Sequence, residues 1–225
     1  MQYDFTSAVN FFDSLAADER VFLLIRHGER RHITPEDPDF GAHVGLTERG
    51  REQALTLGKC IPADGDMSFF SSPVGRCIET AENIGKGRGI DNPQIEKLDC
   101  LAEYFVQDYD EYTKVLRAGF YEGICEWLRN EAAGNPRRDK EAFAPLAERS
   151  EEMLAMMLEK SNARFNIFAT HDAWVVPCLT HFCKMQFTPQ RWMNYLTGMA
   201  VVTDAQKNMK RIVPVTGLDT GWLIF

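Results

Sequence analysis

The stretch FLLIRHGERR, residues 22–31, decides how the rest of the chain is read. Phe22 to Ile25 is a short apolar run that stops at Gly28, which fits a strand buried on both faces better than a helix. At its end stand Arg26, His27, Arg30 and Arg31, a local pile-up of positive charge in a chain whose formal net charge is −8. In open α/β sheets, ligands sit off the carboxyl ends of the strands. The basic cluster therefore lies where an anionic ligand would be met, against the overall charge of the molecule.

Outward from this run, strands and helices alternate. LTERGREQALTLGKCI (46–61) reads as a helix with Thr47 as N-cap and Ala54, Leu57 and Ile61 on its buried side. MSFFSSP (67–73) is a second short strand, and in VGRCIETAENIGKG (74–87) Ile78, Ala81 and Ile84 recur at helical spacing. Ser72 followed by Pro73 predicts that this helix starts there, a capping hydroxyl and then Pro at the first position. RFNIFATHD (164–172) is a third apolar run, ending at His171, with a helix predicted from about Trp174 to Cys183. In that helix Pro177 is acceptable only within the first turn. MAVVTD (199–204) and MKRIVPV (209–215) read as a late hairpin, and WLIF (222–225) as a further strand. The first residues form an amphipathic helix with Phe5, Val9, Phe12 and Leu15 on one side.

The alternation predicts an α/β fold, a three-layer α/β/α sandwich with a mostly parallel central sheet. Residues 1–225 read as a single domain. From about 104 to 160 the pattern is helical without strands, an insertion of the kind that often covers a site. Phe40, Tyr104, Phe105 and Tyr109 are candidates for its entrance. A composition of 44% hydrophobic and 26% charged residues is enough for a proper core. The acidic balance gives no general attraction for nucleic acid or an anionic membrane. No run approaches the ~20 apolar residues of a membrane span, and the first residues, with no basic n-region and no long apolar run, do not read as a signal peptide. Six scattered cysteines without a C-x-x-C pair fit reduced thiols of a cytoplasmic protein.

Three predicted strand ends carry reactive side chains: Arg26-His27, Ser71-Ser72 leading to Arg76, and His171-Asp172. Phosphoryl transfer needs in-line attack and neutralisation of the non-bridging oxygens. Arg26, Arg30 and Arg76 offer planar, permanently charged forks for those oxygens. His27, with arginines beside it, favours its neutral form and can attack phosphorus to give a phosphohistidine. His171 can donate to the transferring oxygens. A carboxylic acid must protonate the leaving oxygen and then activate water; Glu103 and Asp172 both qualify.

LLIRHGER, LTERGREQA, FFSSPVGRCIETAENI, LAEYF and FATHDAWVV stand in the order and spacing of the histidine phosphatase superfamily, the phosphoglycerate mutase-like proteins, which the chain resembles from Val21 to about Leu179. The resemblance places the nucleophile on His27, phosphate-binding arginines on Arg26 and Arg76, and the second histidine on His171. It implies a small phosphorylated substrate and neither metal nor organic cofactor. The cofactor-dependent mutases continue R-H-G-E-S-x-W-N, whereas Arg30 and Ile33 stand here for the Ser and Asn, which favours hydrolysis over phosphoryl transfer between sugar-acid positions. R-H-G-x-R with His-Asp resembles the acid-phosphatase and phytase branch, whose donor is the Asp after the second His. The compact length and LTERGREQA resemble the other branch, whose donor is a Glu placed like Glu103. Phosphomonoester hydrolysis is the expected activity; the alternatives are a phosphoglycerate-type mutase and a non-catalytic module that binds phosphorylated ligands.

Overall fold

In the computed structural model, which describes residues 4–34, 37–137 and 139–225, the run at 21–25 lies at the centre of a seven-stranded sheet. Strand β1 (Thr6–Ser7) leads into helix α1 (Ala8–Asp13), and β2 (Arg20–Arg26) into a long loop and α2 (Glu48–Cys60). Then come β3 (Met67–Ser71), α3 (Gly75–Gly87), β4 (Ile95–Lys97) and the single turn α4 (Cys100–Glu103). The long helices α5 (Tyr109–Ala132) and α6 (Leu146–Lys160) precede β5 (Phe165–Thr170) and α7 (Asp172–Cys183). The chain closes with β6 (Arg191–Met193), β7 (Thr197–Thr203), β8 (Met209–Thr216) and β9 (Trp222–Ile224).

The sheet order is β1-β8-β7-β2-β5-β3-β4. All neighbours run parallel except β7, which is antiparallel to both β2 and β8. Because side chains alternate across a strand, β2 feeds two cores. Val21, Leu23 and Ile25 pack with α1, α2 and α3, while Phe22 and Leu24 pack with α4 to α7. This is the three-layer α/β architecture that the alternation predicts. Among the described residues no helix is long and apolar enough to cross a membrane.

β2, β3 and β5 are mutually parallel, so their carboxyl ends come level and present Arg26-His27, Ser71-Ser72 and Thr170-His171 together. The loop after His27 is tied to the start of α2. Thr47 caps that helix, its Oγ1 accepting from Gly50 N at 2.9 Å, and its own N–H donates to Glu29 O at 2.9 Å. The approach is so close that a Cβ at Gly50 would stand 2.3 Å from Glu29 O.

Several local expectations shift. The helix after β3 starts at Gly75 with Val74 as N-cap, not at Ser72-Pro73; the Ser72 hydroxyl accepts a long bond from Val74 N at 3.4 Å and also meets His171 Nε2 at 3.1 Å. Helix α7 starts at Asp172, which puts Pro177 in its sixth position, past the first turn. Pro177 cannot donate to the Ala173 carbonyl, yet nearly the whole helix is buried, and that packing outweighs the lost bond. Val9 is 52% exposed; Phe11 takes its place in the core beside Phe12. Strand β9 pairs with β6 in a separate two-stranded sheet. Ile78 is only partly buried. Phe105 is fully buried in the core and Tyr109 is exposed, so neither is placed as an entrance residue; Phe40's side chain lies outside the described residues.

Candidate active site

His27 follows the last residue of β2 and is 1% exposed, with its backbone N–H on Thr170 O at 2.9 Å. Its Nδ1 lies 2.8 Å from the Gly28 carbonyl oxygen. A carbonyl can only accept, so Nδ1 carries the proton and Nε2 keeps its lone pair. Burial, reinforced by Arg76, Arg26 and His171, pushes the ring's pKa well below the ordinary histidine value. The result is a neutral imidazole in a fixed tautomer. Gly28 N donates to Thr80 Oγ1 at 2.9 Å, which secures the exit from the strand.

His171 faces His27 edge-on, with ring centroids 5.6 Å apart. Its Nδ1 lies 3.4 Å from Arg76 Nη2, a pure donor, so the ring's one N–H is at Nε2, 3.1 Å from Ser72 Oγ. Burial and Arg76 push it down to about 3, only partly opposed by Asp172. Cys77 Sγ packs 3.7 Å from His171 Nε2, and burial raises that thiol to about 12, so it stays neutral.

Three guanidinium groups surround the imidazoles. Arg26 is 1% exposed; its Nη1 donates to Met193 O at 2.6 Å, its Nη2 pairs with Asp172 Oδ2 at 3.1 Å, and its plane lies 4.2 Å from the Tyr195 ring centroid. Arg76, in the first turn of α3, donates to Gly41 O at 2.8 Å and is 8% exposed. Arg30 donates to Arg31 O at 2.9 Å, and its charge is felt by Arg76, His171 and Asp172. In all three arginines the Nε atom is buried and has no hydrogen-bond partner within the chain.

The two candidate acids differ in setting. Asp172 is 7% exposed at the first position of α7, and its Oδ2 also accepts from Trp192 Nε1 at 2.9 Å. Burial alone would push its carboxyl up, but Arg26, the Trp192 N–H and Arg30 outweigh it and hold the group below the ordinary carboxylate value. Glu103, the last residue of α4, is exposed. Tyr112 of α5 lies between them: burial raises its hydroxyl, and the charges of both Asp172 and Glu103 add to the effect. Tyr121, also from α5, is raised by burial and then by Asp172.

Arg26, His27, Arg30, Arg76, His171 and Asp172 are thus brought together; Glu103 is exposed at the end of α4, and its charge is felt, with that of Asp172, at Tyr112. Sequence reasoning missed Trp192, Met193 and Tyr195, which hold Asp172 and Arg26, and Thr80, Tyr112 and Tyr121. RWMNY (191–195) lies 167 positions from Arg26 and carries no motif, so nothing in it signals the contact. Among the described residues no group of three or more His, Cys, Asp or Glu side chains is arranged to hold a metal ion.

The family profile described as Histidine phosphatase superfamily (branch 1) matches residues 22–214. An acid phosphatase of Mycobacterium tuberculosis is 28% identical over 176 residues, 76% of this chain and 74% of that protein. A probable phosphoglycerate mutase of Cronobacter sakazakii is 33% identical over 79 residues, 34% of this chain and 37% of that protein. The crystal structure of a phosphoserine phosphatase from Entamoeba histolytica, in complex with 3-phosphoglyceric acid, shares the fold. Its TM-score is 0.54 at 17% identity, over 88% of this chain and 99% of that one.

Proposed function

Because the chain belongs to the histidine phosphatase superfamily, we propose that it hydrolyses phosphomonoesters through a phosphohistidine formed at His27. The observation that carries this reading is the gathering of three guanidinium groups, those of Arg26, Arg30 and Arg76, around two neutral imidazoles, one of which keeps its Nε2 lone pair. Three guanidinium charges against the one carboxylate of Asp172 leave two positive charges beside two neutral histidines. That balance matches the two negative charges of a phosphomonoester near neutral pH.

In this reading His27 Nε2 attacks phosphorus, the ester oxygen leaves with the bond's electron pair, and Glu103 gives it a proton. Water then attacks the phosphohistidine, handing a proton to the Glu103 carboxylate, and inorganic phosphate leaves His27 as it began. Arg26, Arg30 and Arg76 hold the non-bridging oxygens, and His171 joins them when the phosphoryl group replaces Ser72 Oγ as the acceptor of its Nε2–H. Arg30, standing where the mutases carry Ser, favours water over a second sugar-acid oxygen as the acceptor. Helices α5 and α6 belong to a covering insertion that brings Tyr112 and Tyr121 over the site, and the substrate is small and phosphorylated.

The test is turnover of p-nitrophenyl phosphate by the wild type and by His27→Ala, with a rapid-quench search for an acid-labile, base-stable phosphoenzyme. The variant should be folded and inactive, and the phosphoenzyme should appear only in the wild type. Turnover retained by His27→Ala removes the mechanism. Binding of phosphate without turnover by the wild type removes the enzyme and leaves a binding module.

A further inference from the structure

Asp172 stands directly after the second histidine, where a carboxyl is the obvious candidate for the proton donor. Its surroundings do not suit that task. Oδ2 accepts from Arg26 Nη2 at 3.1 Å and from Trp192 Nε1 at 2.9 Å, and Oδ1 accepts from Ala173 N at 3.1 Å. These partners are donors only; they fill both acceptor positions of Oδ2 and one of the two on Oδ1, an arrangement that favours the ionised carboxylate over the acid.

Seen from Arg26, the same contacts form a clamp. One guanidinium face lies on the Tyr195 ring, Nη1 is fixed on the Met193 carbonyl and Nη2 on Asp172, while Nε is left without a partner. Trp192, Met193 and Tyr195 come from one short segment, and Asp172 from the start of α7. Removing any one support frees a buried side chain with several rotatable bonds, and a misplaced binding group lowers the rate well before it lowers the fold.

We infer that Asp172 is a positioning residue which, together with Trp192, locks the Arg26 guanidinium in its place at the phosphoryl site, and that it transfers no proton in the reaction. The inference rests on the phosphohydrolase reading, which leaves Glu103 as the acid.

The experiment compares Asp172→Asn with the wild type on two substrates, p-nitrophenyl phosphate, whose leaving group needs little protonation, and glycerol 2-phosphate, whose alkoxide needs it. Loss of a positioning residue should slow both by a common factor of about ten, leaving their ratio within about threefold. Loss of a proton donor should slow glycerol 2-phosphate by about a hundredfold or more and spare the aryl ester; that result overturns the inference. Rates unchanged for both substrates overturn it as well.

A second readout does not use turnover. In protein labelled with 15N-arginine, the Arg26 Nε–H signal, assigned by its disappearance in Arg26→Lys, should be sharp in the wild type and exchange-broadened in Asp172→Asn. An unaltered signal overturns the inference. Trp192→Phe, which removes only the N–H on Asp172 Oδ2, should give a smaller common loss on both substrates and serves if Asp172→Asn fails to fold. If the wild type hydrolyses neither substrate, the phosphohydrolase reading fails, and the Arg26 signal still decides whether Asp172 pins it.

Discussion

Lowering the pH from 7 to 5 should destabilise this protein through its two buried histidines, and replacing His171 by Gln should remove a measurable part of the loss. In the folded chain His171 is held at about 3, against the ordinary 6.5 of an unfolded chain. As the pH falls below 6.5 the unfolded state takes up a proton that the native state refuses, so stability is lost on acidification. At roughly 1.4 kcal/mol per unit over the 1.5 units from 6.5 to 5, His171 alone costs about 2 kcal/mol. His27, also pushed well below the ordinary value, acts in the same direction. Glu19, held at about 2 by Arg211, contributes stability that is lost only below its unfolded value of 4.5, outside this window. Gln at 171 can still accept from Arg76 and donate to Ser72. Urea unfolding of wild type and His171→Gln at pH 7 and pH 5 measures the difference. The variant should lose about 2 kcal/mol less than the wild type between the two values. Equal losses would mean that His171 is protonated in the native state, and the electrostatic account of the site would fall with it.

Gly50→Ala should destabilise by about 2 kcal/mol and depress turnover, because the new Cβ would stand 2.3 Å from Glu29 O, two residues from the nucleophile; unfolding and aryl phosphatase assays on one preparation test both. Glu103→Gln should slow glycerol 2-phosphate hydrolysis by about a hundredfold while changing the aryl ester by only a fewfold; equal effects would remove Glu103 as the acid. Since His27 is already unprotonated below the ordinary histidine value, kcat/KM for an aryl phosphate should show no acid limb centred near 6.5. Such a limb, once the second ionisation of the substrate phosphate is allowed for, would contradict the assigned protonation state.

Much of this molecule was legible in one dimension because its signals are local. An apolar run of strand length, a Thr at a helix start, and a basic pair at a strand end each express physics acting within a few residues. Thr47 caps α2 as expected, and β2, β3 and β5 lie where their apolar runs stand. The positions of Arg26, His27, Arg76 and His171 follow from the same patterns, since parallel strands bring their carboxyl ends level.

What the tertiary structure decided is the electrostatic state of those residues and the job of their neighbours. Ser72 meets His171 besides accepting from Val74 N, and the helix begins only at Gly75; Pro177 sits inside a helix that its burial sustains. The sequence by itself kept both Asp172 and Glu103 as candidate acids, with the balance slightly towards Glu103. The fold separates them, burying one against Arg26 and Trp192 and leaving the other in solvent. Burial and the nearest charge set the state of a carboxyl or an imidazole, and both are properties of the folded environment: here the segment from Trp192 to Tyr195 closes on Arg26 because the strand it leads into, β7, pairs with β2.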